Sequence, residues 1–179
     1  MRRYIALLRG INIGGRNKIV MSELKVSLMG LGYTAVSTYL NSGNVIFSSN
    51  MDDRDALSDM IKSMIKNEFG LDIPVFIIAQ DELQNILNNA PNWWGDEDKE
   101  IYDNLIFMFP SISYDEFYTE VGNLEKAYEK AYHYKNAVFW SFRRKEYQKT
   151  NWWRGTASSK VSDKITIRTA NTVRKIVGM

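Results

Sequence analysis

Arg9-Gly10-Ile11-Asn12-Ile13-Gly14-Gly15-Arg16-Asn17-Lys18 carries three cations and three glycines with no carboxylate among them. Glycine leaves backbone N–H groups accessible, and cations hold negative charge, so this segment suits an anion such as a phosphate or carboxylate. A second segment, Asn41-Ser42-Gly43-Asn44, is equally rich in short polar side chains and turn-forming residues. The candidate ligand-binding residues are therefore Arg9, Asn12, Gly14, Gly15, Arg16, Lys18, Ser42, Gly43 and Asn44. Arg168, with Lys149, Thr150 and Thr172, could complete the set if the two halves of the chain met edge to edge, or could equally cap helices and pair with surface acids. The plain alternative is a tight turn beside a solvated cationic surface. Gly14-Gly15 has neither the Walker spacing nor the dinucleotide fingerprint, so no cofactor is implied.

Other chemistry is sparse. The absence of Cys removes disulfides, thiolate nucleophiles, iron–sulfur clusters and cysteine zinc sites, and a single His, His133, removes multi-histidine metal centres. His133, near a predicted hairpin turn, has no Ser or Asp signature nearby, and Ser42, with no visible base partner, reads as a turn residue. Asp96-Glu97-Asp98 lacks the spacing and glycine of a calcium loop and reads as a solvated linker; no metal site is expected. Trp93-Trp94 and Trp152-Trp153 read as anchors, with one ring of each pair packed and one partly wet. No nucleophile or general base is signalled, which leaves enzyme status open.

The 179 residues contain 45% hydrophobic and 25% charged residues, an ordinary globular composition. Lys and Arg number 23 against 21 Asp and Glu, and a net charge of +2 argues against a nucleic-acid partner. The longest apolar stretch, Leu105 to Phe109, is far short of the ~20 residues a membrane helix needs, and no signal peptide follows Arg2-Arg3. A cytoplasmic protein without a membrane partner is expected.

The elements that must position the two loops follow from periodicity. Tyr4 to Leu8 is a strand; Met21, Leu24, Leu28 and Leu31 mark a helix closed by Gly32. Ala35 to Leu40 and Val45 to Phe47 form a hairpin through Asn41–Asn44. Asp52 or Asp53 caps a helix with Leu57, Ile61, Met64 and Ile65 inward, ending at Gly70, and Val75 to Ile78 is a strand. This order, βαββαβ, is the ferredoxin-like plait, in which the first two strands run parallel with the third between them. The loop after strand one and the hairpin then lie at one end of the sheet. A short helix at Asp81 to Ala90 and the polar segment around Trp93-Trp94 form a linker.

The order repeats in the second half. Leu105 to Phe109 is a strand, and Ser113 with Glu116 boxes the start of a helix. Lys126 to Tyr134 and Ala137 to Phe142 are strands turning at Lys135-Asn136. A weak helix lies between Glu146 and Val161, Ile165 and Ile167 sit in a last strand, and Asn171 to Val177 is a helix. The fold class expected is α+β: two ferredoxin-like subdomains, residues 1–79 and 102–179, packed together with a linker helix and loop at 80–101. Both faces of the first strand are apolar, so both are expected to be covered, leaving no open platform for RNA.

Arg9-Gly10-Ile11-Asn12 with Gly14-Gly15, then Ser42-Gly43-Asn44, Pro91-Asn92-Trp93-Trp94, Phe139-Trp140, Lys149-Thr150 and Thr166-Ile167-Arg168 with Thr172 together resemble a bacterial family known only as a domain of unknown function. The resemblance implies two ferredoxin-like subdomains and no activity. It places signature positions on Arg9, Gly10, Asn12, Gly14, Gly15, Ser42, Gly43, Asn44, Arg168 and Thr172. Thr169 follows Arg168 where the family usually shows Asn, so a ligand touching that Asn would be held differently here. The function expected is binding of an anionic small molecule at the 9–18 and 41–44 edge. The alternatives are a protein-interaction module without ligand, whose partner the sequence does not name, and, further behind, an RNA-binding module.

Overall fold

The computed structural model describes residues 1–158 and 160–179. They fall into two compact units, residues 1–84 with 176–179, and residues 85–175. Among the described residues, no helix is long and apolar enough to cross a membrane.

The first unit runs β1 (Arg2–Leu8), α1 (Met21–Gly30), β2 (Thr34–Tyr39), β3 (Asn44–Ser49), α2 (Arg54–Phe69), β4 (Val75–Ala79) and the start of α3 (Gln80–Asn88). Its sheet has the order β2-β3-β1-β4, with every neighbouring pair antiparallel. This is the plait that the element order predicts.

Strand alternation sends Tyr4, Ala6 and Leu8 to one face, where they meet Val45, Phe47, Val75 and Ile77. Leu24 and Leu28 of α1, and Leu57, Ile61, Met64 and Ile65 of α2, close over that face. Ile5 and Leu7, on the other face of β1, are fully buried as well. The helix ends follow local chemistry. The Asp53 carboxylate accepts from the Ala56 N–H at 3.0 Å, and Gly70 ends α2 in the left-handed region at φ 68°.

The second unit contains β5 (Ile101–Met108), α4 (Tyr114–Val121), β6 (Glu129–Tyr134), β7 (Ala137–Arg143), a 3-10 helix (Arg144–Lys149), α5 (Asn151–Gly155), β8 (Ile165–Thr169) and most of α6 (Ala170–Val177). Its sheet order, β6-β7-β5-β8, repeats the first. Ser113 and Glu116 form the expected capping box. Trp152 is fully buried and donates from Nε1 to the Gly122 carbonyl at 2.9 Å, while Trp153 stays 42% exposed.

Two boundaries differ from the pattern reading. β5 begins at Ile101 rather than Leu105, because Asp103 and Asn104 disguise its first half. Asp103 is satisfied there by the Ser141 hydroxyl and by the Gly95 N–H at 3.0 Å. β6 begins only at Glu129, since Glu125 to Tyr128 close a turn through Tyr128 N–H to the Glu125 carbonyl at 2.8 Å.

Glu129 is 3% exposed, and its carboxylate is saturated by N–H donors. Oε1 accepts from the backbone of Glu125 and Asn151, both at 2.9 Å, and of Trp152 at 3.4 Å; Oε2 accepts from Trp140 Nε1 at 2.9 Å. It caps α5 and ties β6 and β7 to that helix. Glu129→Ala would orphan several buried donors at once, and urea unfolding should show a loss of about 3 kcal/mol or more. In the first unit, the Tyr4 hydroxyl donates to Asp52 at 2.6 Å, and Arg2 lies 3.4 Å from the same oxygen. These two contacts hold the Asp52 carboxyl below its ordinary range. A depressed folded pKa contributes stability above the unfolded value that is lost as pH falls through the folded one. Stability should therefore drop on acidification below about pH 4, and Asp52→Asn should flatten that dependence in denaturation curves recorded across pH.

Candidate functional site

The C-terminal ends of β1 and β2 and the first residues of β3 and β4 lie at one edge of the first sheet. Leu7 pairs with Asn44, Tyr39 with Asn44, and Leu8 with Val75. The chain leaving β1 is held on both sides: Leu8 N–H donates to the Gly43 carbonyl at 2.8 Å and Arg9 N–H to the Pro74 carbonyl at 3.0 Å. The 9–18 loop and the 41–44 hairpin thus converge, as the plait requires.

Asn12 makes that convergence specific. Its Nδ2 donates to the carbonyls of Ile19 at 3.0 Å and Asn41 at 2.9 Å, and its Oδ1 accepts from Ile19 N–H at 2.9 Å. Asn17 donates to the Gly10 carbonyl at 2.9 Å. Asn44, fully buried, donates to the Tyr39 carbonyl at 2.8 Å and the Ser42 hydroxyl at 3.1 Å. The amide groups of Asn12 and Asn44 therefore build the edge by binding its backbone. The tip, Ile13 to Arg16, is a tight turn with φ 57° at Gly14 and 76° at Gly15, closed by Arg16 N–H to the Ile13 carbonyl at 3.0 Å.

Ser42, Gly14, Gly15, Arg16 and Lys18 are exposed at this edge, and Arg9 is half-buried. Neither Arg16 nor Lys18 forms an ion pair among the described residues. α1 starts at Met21, just beyond, with Val20 at its cap and no side chain closing it. Its first-turn amides add positive potential. Arg168 sits in β8 of the second unit, 9% exposed, donating from Nη1 to Thr166 Oγ1 and the Ile167 carbonyl, both at 2.9 Å. Burial pushes its guanidinium down to about 10.

The other sequence candidates lie away from this edge in the chain. His133 is exposed and stacks on the Tyr114 ring, centroids 3.9 Å apart at 6°. Trp94 is buried and donates to the Asn104 carbonyl at 2.8 Å, while Trp93 is half-buried. Asp96, Glu97 and Asp98 are exposed, and among the described residues no group of three or more His, Cys, Asp or Glu is placed to hold a metal. Sequence reasoning missed Glu129. The one available signal was a carboxylate in step with the inward face of a strand, as Glu129 and Ala131 are.

The family model described as "Protein of unknown function (DUF1697)" matches residues 1–139. The chain belongs to this family. The DUF1697 match contains the whole 9–18 and 41–44 edge and stops before Arg168. A solved structure, described as that of the conserved bacterial protein SP0830 from Streptococcus pneumoniae, is similar over 99% of this chain and 97% of its own, at 31% identity and a TM-score of 0.85. No curated protein matches the chain.

Gly43 shows how tightly the edge is built. Its φ is +81°, and an added Cβ would stand 2.7 Å from Leu8 Cβ and 2.9 Å from Ile11 Cδ1. At Gly14 an added Cβ meets nothing within 4 Å, leaving only the cost of its positive φ. Gly14→Ala should cost about 1 kcal/mol and Gly43→Ala clearly more, in thermal or urea unfolding of the two variants side by side.

Proposed function

We propose that this DUF1697 protein binds an anionic small molecule, a phosphate or carboxylate, at the edge formed by the 9–18 loop and the 41–44 hairpin. The observation carrying this reading is that Arg16 and Lys18 stand exposed, without ion pairs among the described residues, beside a hairpin that Asn12 and Asn44 hold in place. A glycine turn next to cations and a helix start offers charge-assisted bonds to an oxyanion. In this reading Arg9-Gly10-Ile11-Asn12 with Gly14-Gly15, and Ser42-Gly43-Asn44, form the family's binding signature, and the protein works in a bacterial cytoplasm.

A second reading, docking of another protein, draws on three apolar side chains near the same loops: Ile13 is 64% exposed, Val20 56% and Leu40 54%. The two are separable by screening phosphorylated metabolites, nucleotides and carboxylates for thermal stabilisation. A ligand at a hundred times its Kd stabilises by about 2.7 kcal/mol, a readily seen shift. Arg9→Ala and Arg16→Ala should each weaken such a ligand about tenfold or more, the worth of a charge-assisted bond. Affinity unchanged in both variants would overturn the anion reading. Loss of a protein association in Ile13→Ser without any anion effect would favour the second.

A further inference from the structure

The second unit contains a cavity of about 400 Å³ between the turn entering β6, the end of β7 and the segment after Trp93. Strand alternation decides which side chains face it. Lys130 pairs with Ser141 and Ile101 with Arg143, so Lys130, Ser141 and Arg143 share one face of the sheet. Glu129 and Phe142 take the opposite face, where the Glu129 carboxylate meets Trp140 Nε1. Glu129 also lines the cavity, but its charge is spent on four N–H donors.

The remaining charges do not balance. Lys126, Lys130 and Arg143 are exposed around the cavity, and none forms an ion pair among the described residues. Glu146 is already taken by Lys149 at 3.2 Å, which leaves Asp96 as the acid facing three cations. Two half-buried aromatic rings, Trp93 and Tyr128, complete the walls, and Lys149 stands over Tyr128 at 4.9 Å from its centroid. Half-exposed rings offer a flat ligand a stacking surface. Unpaired cations offer its charged end charge-assisted bonds.

We infer that this cavity is a second ligand site, separate from the 9–18 edge, for a small anion carrying a single flat ring, an aryl phosphate or aryl carboxylate. Its volume lies near the lower end of the range for small-molecule sites, so one ring with its charged group fits and a dinucleotide does not. Trp93 and Tyr128 hold the ring, and Lys126, Lys130 and Arg143 hold the anion.

The test is isothermal titration calorimetry with phenyl phosphate, with inorganic phosphate and phenol as the two halves of that probe. Wild type, Lys130→Glu, Trp93→Leu and Arg16→Glu would be titrated in parallel, each with its fold checked by far-UV circular dichroism. Phenyl phosphate should bind the wild type and the Arg16→Glu variant alike. It should bind about tenfold or more weakly when Lys130 is reversed, and measurably more weakly when Trp93 is replaced. Inorganic phosphate and phenol should each bind more weakly than the joined molecule. The inference is overturned by no detectable heat with phenyl phosphate, by affinity indifferent to Lys130→Glu, or by inorganic phosphate binding as tightly as phenyl phosphate. Loss confined to Arg16→Glu overturns it too, and moves the ligand to the loop edge.

Discussion

The first unit depends on how β1 is gripped between β3 and β4. Ladder hydrogen bonds on both sides leave the strand no freedom of register, and a one-residue slip would send Tyr4, Ala6 and Leu8 away from the core they share with α1 and α2. The same grip continues past the strand, through Leu8 to Gly43 and Arg9 to Pro74. The loop that follows therefore emerges at a fixed point and angle. A cationic, glycine-rich loop launched from a free strand end would be a floppy surface; launched from here, its base is as fixed as the sheet.

Much of this was legible in the residues. Apolar spacing on α2, the Ser113–Glu116 box, the Asn41–Asn44 turn and the two tryptophan pairs each carry a local physical cause that works wherever the chain goes, and each appears as expected. What escaped was produced by long-range partners. Asp103 and Asn104 break the apolar pattern of β5; Ser141 and Gly95, brought in by the fold, satisfy the buried Asp103 carboxylate, while the Asn104 amide donates to the nearby Tyr102 carbonyl at 3.1 Å. Apart from its alternation with Ala131, nothing local in the sequence marks Glu129 as buried; its partners include the amides that α5 presents. At the edge itself, residue types announced polar chemistry around Asn12 and Asn44, but not that their amides bind the backbone of the edge, with Asn12 reaching across to the Asn41 carbonyl. A short polar side chain beside glycine signals a ligand and a turn in the same letters.

The two units solve the same topological problem with different interiors. The first relies on aliphatic layers, with Leu, Ile and Val filling the space under α1 and α2. The second puts aromatic rings there: Phe117, Trp140, Phe142 and Trp152 contact one another at centroid separations of 4.7–6.3 Å. Rings need fewer residues to fill a volume, and α4 and α5 are accordingly short, at eight and five residues. The indole N–H groups then have to be satisfied, which is what Glu129 and the Gly122 carbonyl provide.

That difference has an optical consequence. All five tryptophans, at positions 93, 94, 140, 152 and 153, belong to the second unit, and the first has none. Indole emission is therefore a private channel to residues 85–175, whereas backbone ellipticity hears both units. If the units melt as one, the two signals trace a single curve. If they melt apart, fluorescence follows the aromatic unit alone, and the difference between the traces belongs to the aliphatic one.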